Sequence, residues 1–153
     1  MIRQGGSRSA NAKEPTTVKL VRAHRLYSGV PYAYAAVAEP GALVFTAGAC
    51  PLDENETVVG TGDARRQAQQ VMDNLTEALA AAGAALTDVL KTTVYVASTD
   101  RDDLLAAWDV VRAAFGEHDA PSTLLGVTLL GYRDQLVEVE AVAAITGGPA
   151  AAQ

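Results

Sequence analysis

The chain has 153 residues and a mass of 15.9 kDa, the size of a single domain that can bury enough apolar surface to fold without disulfides or metals. With 49% hydrophobic, 20% charged and 5% aromatic residues, it cannot be a collagen, a coiled coil or a wholly disordered chain. The net charge of −6 argues against a nucleic-acid partner, because phosphate binding needs a basic patch. The single cysteine, the absence of an apolar run of about 20 residues and the lack of a secretory signal predict a cytoplasmic protein that does not bind membranes.

The first third of the chain predicts an arm followed by three strands. Residues 1–16 are polar and rich in Gly and Ser, so we expect a flexible arm that precedes a domain at 17–146 and a flexible tail at 147–153. Alternating patterns and β-forming residues predict strands at Val18–Arg25, Ala33–Ala38 and Ala42–Gly48.

Two helices are predicted in the middle of the chain, with a strand between them. In the first, apolar residues recur at spacings of three and four between a candidate N-cap, Asp63, and a candidate terminating glycine, Gly83. A β-branched strand follows at Val89–Ala97. The second helix covers Arg101–Phe115, with Asp100 as its cap.

The last third predicts two strands, Ser122–Leu130 and Gln135–Ile145, joined by a loop short enough for an antiparallel hairpin. The order β-β-β-α-β-α-β-β is typical of an α+β fold in which both helices pack on one face of a mixed sheet. Because the Ser122–Leu130 strand is apolar on both faces and the helices cover only one, we expect a second copy of the chain to cover the other.

Glu138 and Glu140 are the candidate chemistry-bearing pair. They lie two residues apart on the last strand, so both face away from the core face that Val137 and Val139 define. A carboxylate pair flanked by apolar residues fits acid–base chemistry, and it equally fits a face that is half covered by another subunit or that pairs with arginine. The two histidines are far apart and no phosphate-binding or nucleophile motif is present, so we expect neither a metal nor a cofactor.

Several segments together resemble the RidA family, also called YjgF or L-PSP. The closing signature is APSTLL at 120–125 followed by LVEVEAVA at 136–143. Further matches in the same order are GVPY at 29–32, LVFTAG at 43–48, DNL at 73–75 and DVLKTTVYV at 88–96. The resemblance covers residues 18–145.

This resemblance implies a chorismate-mutase-like homotrimer with an internal barrel and small-molecule clefts between subunits. Typical members hydrolyse reactive enamines and imines to 2-oxo acids and ammonia without a cofactor. The family's glutamate, which positions the attacking water, falls on Glu138. Substrate-binding positions fall on Tyr32, Gly48 and Ala49, and we add Trp108 of the second helix to them.

The family's carboxylate-binding arginine is replaced here by Thr123, and the cysteine two residues later by Leu125. A threonine hydroxyl cannot supply a bidentate cation, so the resemblance implies an altered substrate, neutral or bulkier than an amino-acid-derived enamine. Three other arginines, Arg22, Arg25 and Arg133, are candidates to compensate, but the favoured interpretation is that they are solvated surface residues. The rival hypotheses are a metabolite-binding protein without turnover and, disfavoured by the acidic charge, a ribonuclease.

Overall fold

The computed structural model describes residues 18–22, 25, 27–38 and 41–145. The strands and helices are β1 (Val18–Val21), β2 (Ala35–Ala38), β3 (Ala42–Phe45), α1 (Ala64–Ala81), β4 (Val89–Val96), α2 (Arg101–Phe115), β5 (Ser122–Gly126) and β6 (Val137–Ile145). The predicted order of elements is therefore confirmed. The predicted arm at 1–16 and tail at 147–153 lie outside the described residues.

The described strands form two sheets. β1 and β2 pair antiparallel, and the larger sheet has the order β3-β6-β4-β5. In it β6 runs antiparallel to both of its neighbours, whereas β5 runs parallel to β4 through the α2 crossover. The sheet is mixed, as predicted.

The predicted hairpin between the last two strands is wrong. β4 lies between β5 and β6, so these two strands are not hydrogen-bonded to each other. The local turn signal at 131–134 favours a hairpin, but β6 pairs instead with β3 on one side and with β4 on the other, where the register runs from Val96 to Val89. The turn residues instead shape a loop that returns the chain across the end of β4.

Both helices pack on one face of the larger sheet. The side chains that alternate inward from β6 and β4 meet apolar residues of the helices in one core: Val137, Val139, Val94, Val96, Val71, Leu75, Leu79 and Val111. The Asp63 carboxylate caps α1 by accepting from the Arg66 backbone N–H at 2.9 Å. Gly83 has a φ of 80° and provides the left-handed residue after α1.

All six strands are shorter in the structure than predicted, and three of them end three or four residues early. β1 ends at Val21 instead of residue 25, β3 at Phe45 instead of residue 48, and β5 at Gly126 instead of residue 130. The last change has a clear cause, because the Val127 N–H still bonds Val96 at the end of β4 and no strand residue lies beyond it for β5 to pair with.

The face of the sheet opposite the helices carries exposed apolar side chains. Leu43 and Phe45 on β3 are 58% and 71% exposed, and Leu125 on β5 is 42% exposed. This surface, called the open face below, also carries Glu138 and Glu140. No helix within the described ranges is long and apolar enough to cross a membrane.

Candidate functional site

Four segments meet at one end of the larger sheet. β3, β4 and β5 are mutually parallel and end there, and antiparallel β6 begins there. The chain that follows β3 continues alongside β6, because Ala49 and Val139 exchange backbone hydrogen bonds at 2.8 and 3.2 Å. This pairing places residues 48–50 beside the first residues of β6.

The Glu138 side chain lies directly over Gly48. A Cβ atom built on Gly48 would be 1.9 Å from Glu138 Oε1 and 2.5 Å from its Cδ. Only a residue without a side chain leaves room for this carboxylate, so the glycine is required by the position of the glutamate. Gly48, Ala49 and Glu138, all predicted site residues, thus form one cluster.

Two neutral donors hold the Glu138 carboxylate. Gln135 Nε2 donates to Oε2 at 3.0 Å, and the Cys50 thiol lies 3.7 Å from the same oxygen and 3.6 Å from the Gly48 carbonyl oxygen. Burial, and then the negative charge of Glu138, raise the pKa of the Cys50 thiol. Cys50 therefore acts as a protonated donor to the carboxylate rather than as a thiolate nucleophile.

Helix α1 anchors both loops that carry these donors. Gln67 is fully buried, and its amide donates to the Asp134 carbonyl at 2.8 Å and accepts from the Leu136 N–H at 2.7 Å. Asn74 donates to the carbonyl of Cys50 at 2.8 Å. The helix thereby fixes the segments on either side of Glu138.

Gln135, Gln67 and the role of Cys50 were not predicted from the sequence. A signal for Gln67 was present, because it falls at helical spacing on the apolar stripe of α1, where a polar residue must find buried partners. Gln135 carried no such signal, since only the turn at 132–135 brings its side chain back onto Glu138.

Tyr32 and Trp108 lie elsewhere. Their rings meet edge to face with centroids 6.5 Å apart. Trp108 lines a small crevice together with Thr92 and Ser122, whose hydroxyls lie 2.5 Å apart. Thr92 is buried on the helix side of the sheet, so within one chain this aromatic pair is separated from Glu138 by the sheet itself.

Thr123 and Leu125 lie on the open face, two strands from the two glutamates. The register places Leu125, Tyr95 and Glu138 in one row across β5, β4 and β6, and Thr123 lies in the next row. At about 4.8 Å per strand, Leu125 and Glu138 are separated by about 10 Å. Thr123 Oγ1 accepts a hydrogen bond from Lys91 Nζ at 2.5 Å, so the cation facing this threonine is a lysine that was not among the predicted site residues.

The three arginines proposed as substitutes lie in different places. Arg22 donates to the carbonyl oxygens of Val30 and Tyr32 and forms an ion pair with Asp119, so it ties β1 to the loops before β2 and β5. Arg25 and Arg133 are exposed. Arg133 lies in the turn that carries Gln135.

The two helices on a mixed sheet, with a glutamate positioned at one end of it, define an α+β protein of the chorismate-mutase-like fold. A family model described as endoribonuclease L-PSP matches residues 23–145. The chain belongs to this family, which is the RidA/YjgF family.

Named relatives and a solved structure agree with this assignment. The chain is 36% identical over 110 residues to a RutC family protein of Pyrococcus horikoshii, covering 72% of this chain and 85% of the relative. It is 32% identical to the 2-iminobutanoate/2-iminopropanoate deaminase of Salmonella typhimurium, covering 67% and 80%. The structure of YyfB, of the conserved Rid protein family of Yersinia pestis, matches with a TM-score of 0.78 and 30% identity, covering 83% of this chain and 98% of that one.

Proposed function

We propose that the protein hydrolyses a small imine or enamine by water attack, with Glu138 as the group that orients and deprotonates the water. The observation that carries this proposal is that the Glu138 carboxylate is held in one position. Glu138 lies over Gly48 and is fixed by Gln135 and Cys50, which leaves Oε1 free of these two donors. The deaminase activity named for the Salmonella typhimurium relative is consistent with this chemistry.

The reaction needs only this carboxylate and water. Glu138 accepts a proton as the water oxygen bonds to the imine carbon, and the C=N π electrons move to nitrogen. The same carboxyl group then returns the proton to nitrogen, which gives a carbinolamine. Glu138 next takes the hydroxyl proton and passes it to the amine nitrogen, so that the C=O bond forms, the C–N bond breaks, and ammonia and a carbonyl compound leave. An enamine enters the same route once its carbon is protonated.

Substrate selection differs from that of typical family members in this proposal. Thr123 offers a hydroxyl where those members have an arginine, and the hydroxyl is bonded to Lys91. The planar fork that binds a carboxylate through two parallel hydrogen bonds is absent at this position. The substrate is therefore one whose binding does not depend on a guanidinium.

We further propose that three copies assemble through their open faces and that the substrate cleft lies between subunits. The exposed Leu43, Phe45 and Leu125 support an association that buries this surface.

The test is ammonia release measured with 2-iminopropanoate and with uncharged imines. We expect turnover of at least one imine, and Glu138→Gln should lower it by about 100-fold or more, the range of a general base. The matched control is Glu77→Gln, because Glu77 is exposed on α1 and its loss should leave the rate unchanged. Thr123→Arg should raise activity toward 2-iminopropanoate at least tenfold.

Two results would overturn parts of this proposal. Wild-type turnover of 2-iminopropanoate as fast as that of the Salmonella typhimurium deaminase would contradict an altered substrate. If no imine releases ammonia above the buffer rate and Glu138→Gln binds a metabolite as the wild type does, the protein is a binding module and the enzymatic proposal fails.

A further inference from the structure

A second polar cluster lies on the open face, in the row of side chains next to that of Glu138. Lys91 and Glu140 line the same hollow of about 140 Å³, and Phe45 and Val142 form part of its apolar wall. Such a volume admits a small metabolite rather than a single water. The two side chains bring opposite charges to one cavity.

Lys91 and Glu140 lie close enough to form an ion pair, but they do not form one. Thr93 lies opposite Glu140 in the register and is two residues from Lys91 on the same face, so Lys91 and Glu140 are diagonal neighbours, about 7–8 Å apart between Cα atoms. Long side chains at that spacing can meet. Among the described residues, however, neither of them takes part in an ion pair.

Lys91 and Glu140 are each hydrogen-bonded to a neutral hydroxyl group instead of to each other. Lys91 turns toward β5 and donates to Thr123 Oγ1, while Glu140 Oε1 accepts from the Tyr95 hydroxyl at 2.8 Å. Lys91 keeps two further N–H donors and Glu140 a second oxygen, neither of which has a partner within the described part of the chain. Burial also lowers the pKa of the Lys91 ammonium, as expected for a partly desolvated cation without a carboxylate against it.

We propose that this hollow is a binding site for a small zwitterion of the α-amino carboxylate class. The ligand's carboxylate accepts from Lys91, its ammonium donates to Glu140, and its side chain faces Phe45 and Val142. A molecule that carries both charges satisfies the two groups together, whereas a simple acid or amine leaves one partly buried charge unmatched. Phe45 also belongs to the surface that we propose to be buried in the trimer, so in that assembly the hollow lies between copies. Binding there uses Lys91 and Glu140 rather than Glu138 and does not depend on imine hydrolysis.

The experiment compares three probes by titration calorimetry on the assembled wild-type protein. L-Alanine carries both charges, propionate only the carboxylate and ethylamine only the ammonium. We expect saturable binding of L-alanine, at least tenfold tighter than that of either other probe. Lys91→Met should abolish the preference for L-alanine over ethylamine. Glu140→Gln should abolish the preference for L-alanine over propionate.

Controls separate this site from the proposed catalytic one. Glu138→Gln should bind L-alanine with the wild-type affinity, even though its turnover is lost. Lys91→Arg keeps the positive charge and should keep most of the affinity, which shows that a loss in Lys91→Met does not come from misfolding. Thermal denaturation of each variant provides the second check on folding.

Several results would overturn the proposal. Propionate or ethylamine binding as tightly as L-alanine would show that the two charges do not act together. Loss of L-alanine binding in Glu138→Gln, with binding retained in Lys91→Met, would place the ligand in the cleft beside Glu138. The absence of saturable binding with all three probes would mean that another group, such as a side chain of a second copy, satisfies the two charges.

Discussion

Gly48→Ala tests the close contact on which the candidate site depends. The new methyl group would lie 1.9 Å from Glu138 Oε1, where ordinary contacts begin at 3.4 Å, so the carboxylate must move by about 1.5 Å. The backbone itself tolerates alanine, because Gly48 is not among the residues with positive φ. Any effect of Gly48→Ala should therefore come from the displacement of the Glu138 side chain.

The size of this displacement sets the expected effects of Gly48→Ala on stability and on activity. Overpacking costs about 1–3 kcal/mol, and the lower entropy of the unfolded chain with alanine offsets about 0.4–1 kcal/mol of that cost. We expect a net loss in the free energy of unfolding of up to about 2.5 kcal/mol. A catalytic group displaced by about 1 Å can lower the rate by about 100-fold, so any imine turnover should fall by that factor or more.

The assay is urea denaturation of Gly48→Ala, Glu138→Ala and the double variant. Once Glu138 is shortened, the alanine has nothing to displace, so the two changes should couple by about 1–3 kcal/mol. The matched control is Gly131→Ala, because a Cβ there meets no atom within 4 Å. A coupling below about 0.5 kcal/mol, or a Gly48→Ala protein as stable as the control, would refute the reasoning.

Three further predictions concern other parts of the molecule. Because burial and the Glu138 charge raise the pKa of the Cys50 thiol, Glu138→Gln should lower that pKa and speed alkylation by iodoacetamide at pH 8 several-fold, measured by mass spectrometry on the chain's single cysteine. Asp63→Ala removes the α1 cap and should lower the free energy of unfolding by about 0.5–2 kcal/mol in urea denaturation. Phe45→Lys should shift the protein toward monomer in analytical ultracentrifugation, whereas Leu105→Lys on exposed α2 should not.

The raised pKa of the Cys50 thiol also predicts that the stability of the protein depends on pH. A cysteine whose pKa is raised by folding stabilises the native state below its unfolded pKa of about 8.5, and this contribution is lost as the pH rises through the folded value. The wild type should therefore lose stability relative to Cys50→Ser between about pH 8.5 and the folded pKa of the thiol. An equal slope in the two proteins would contradict the raised pKa of the thiol. Unchanged alkylation in Glu138→Gln would contradict the contact between Cys50 and Glu138.

Much of the fold could be predicted because local signals and tertiary packing agree. The apolar stripe of α1, its cap at Asp63 and its terminating Gly83 are properties of adjacent residues. The alternation along β6 is likewise enough to separate the core valines from Glu138 and Glu140. Periodicity reports which face of an element is buried, and both elements bury the face that it indicates.

The pairing of strands could not be predicted in the same way. The turn residues at 131–134 favour a hairpin, yet β4 lies between β5 and β6. Strand order depends on which distant segments match in length and register across the whole sheet. Local sequence carries little of that information.

By itself the sequence determined the order of elements, the core face and the family, because these depend on residue spacing along the chain. Only the tertiary structure placed Gln135 and Cys50 on Glu138 and turned Lys91 toward Thr123. These contacts join residues that lie between three and 88 positions apart, and they exist because parallel and antiparallel strands bring particular rows of side chains together. The chemistry that this protein can perform depends on that packing.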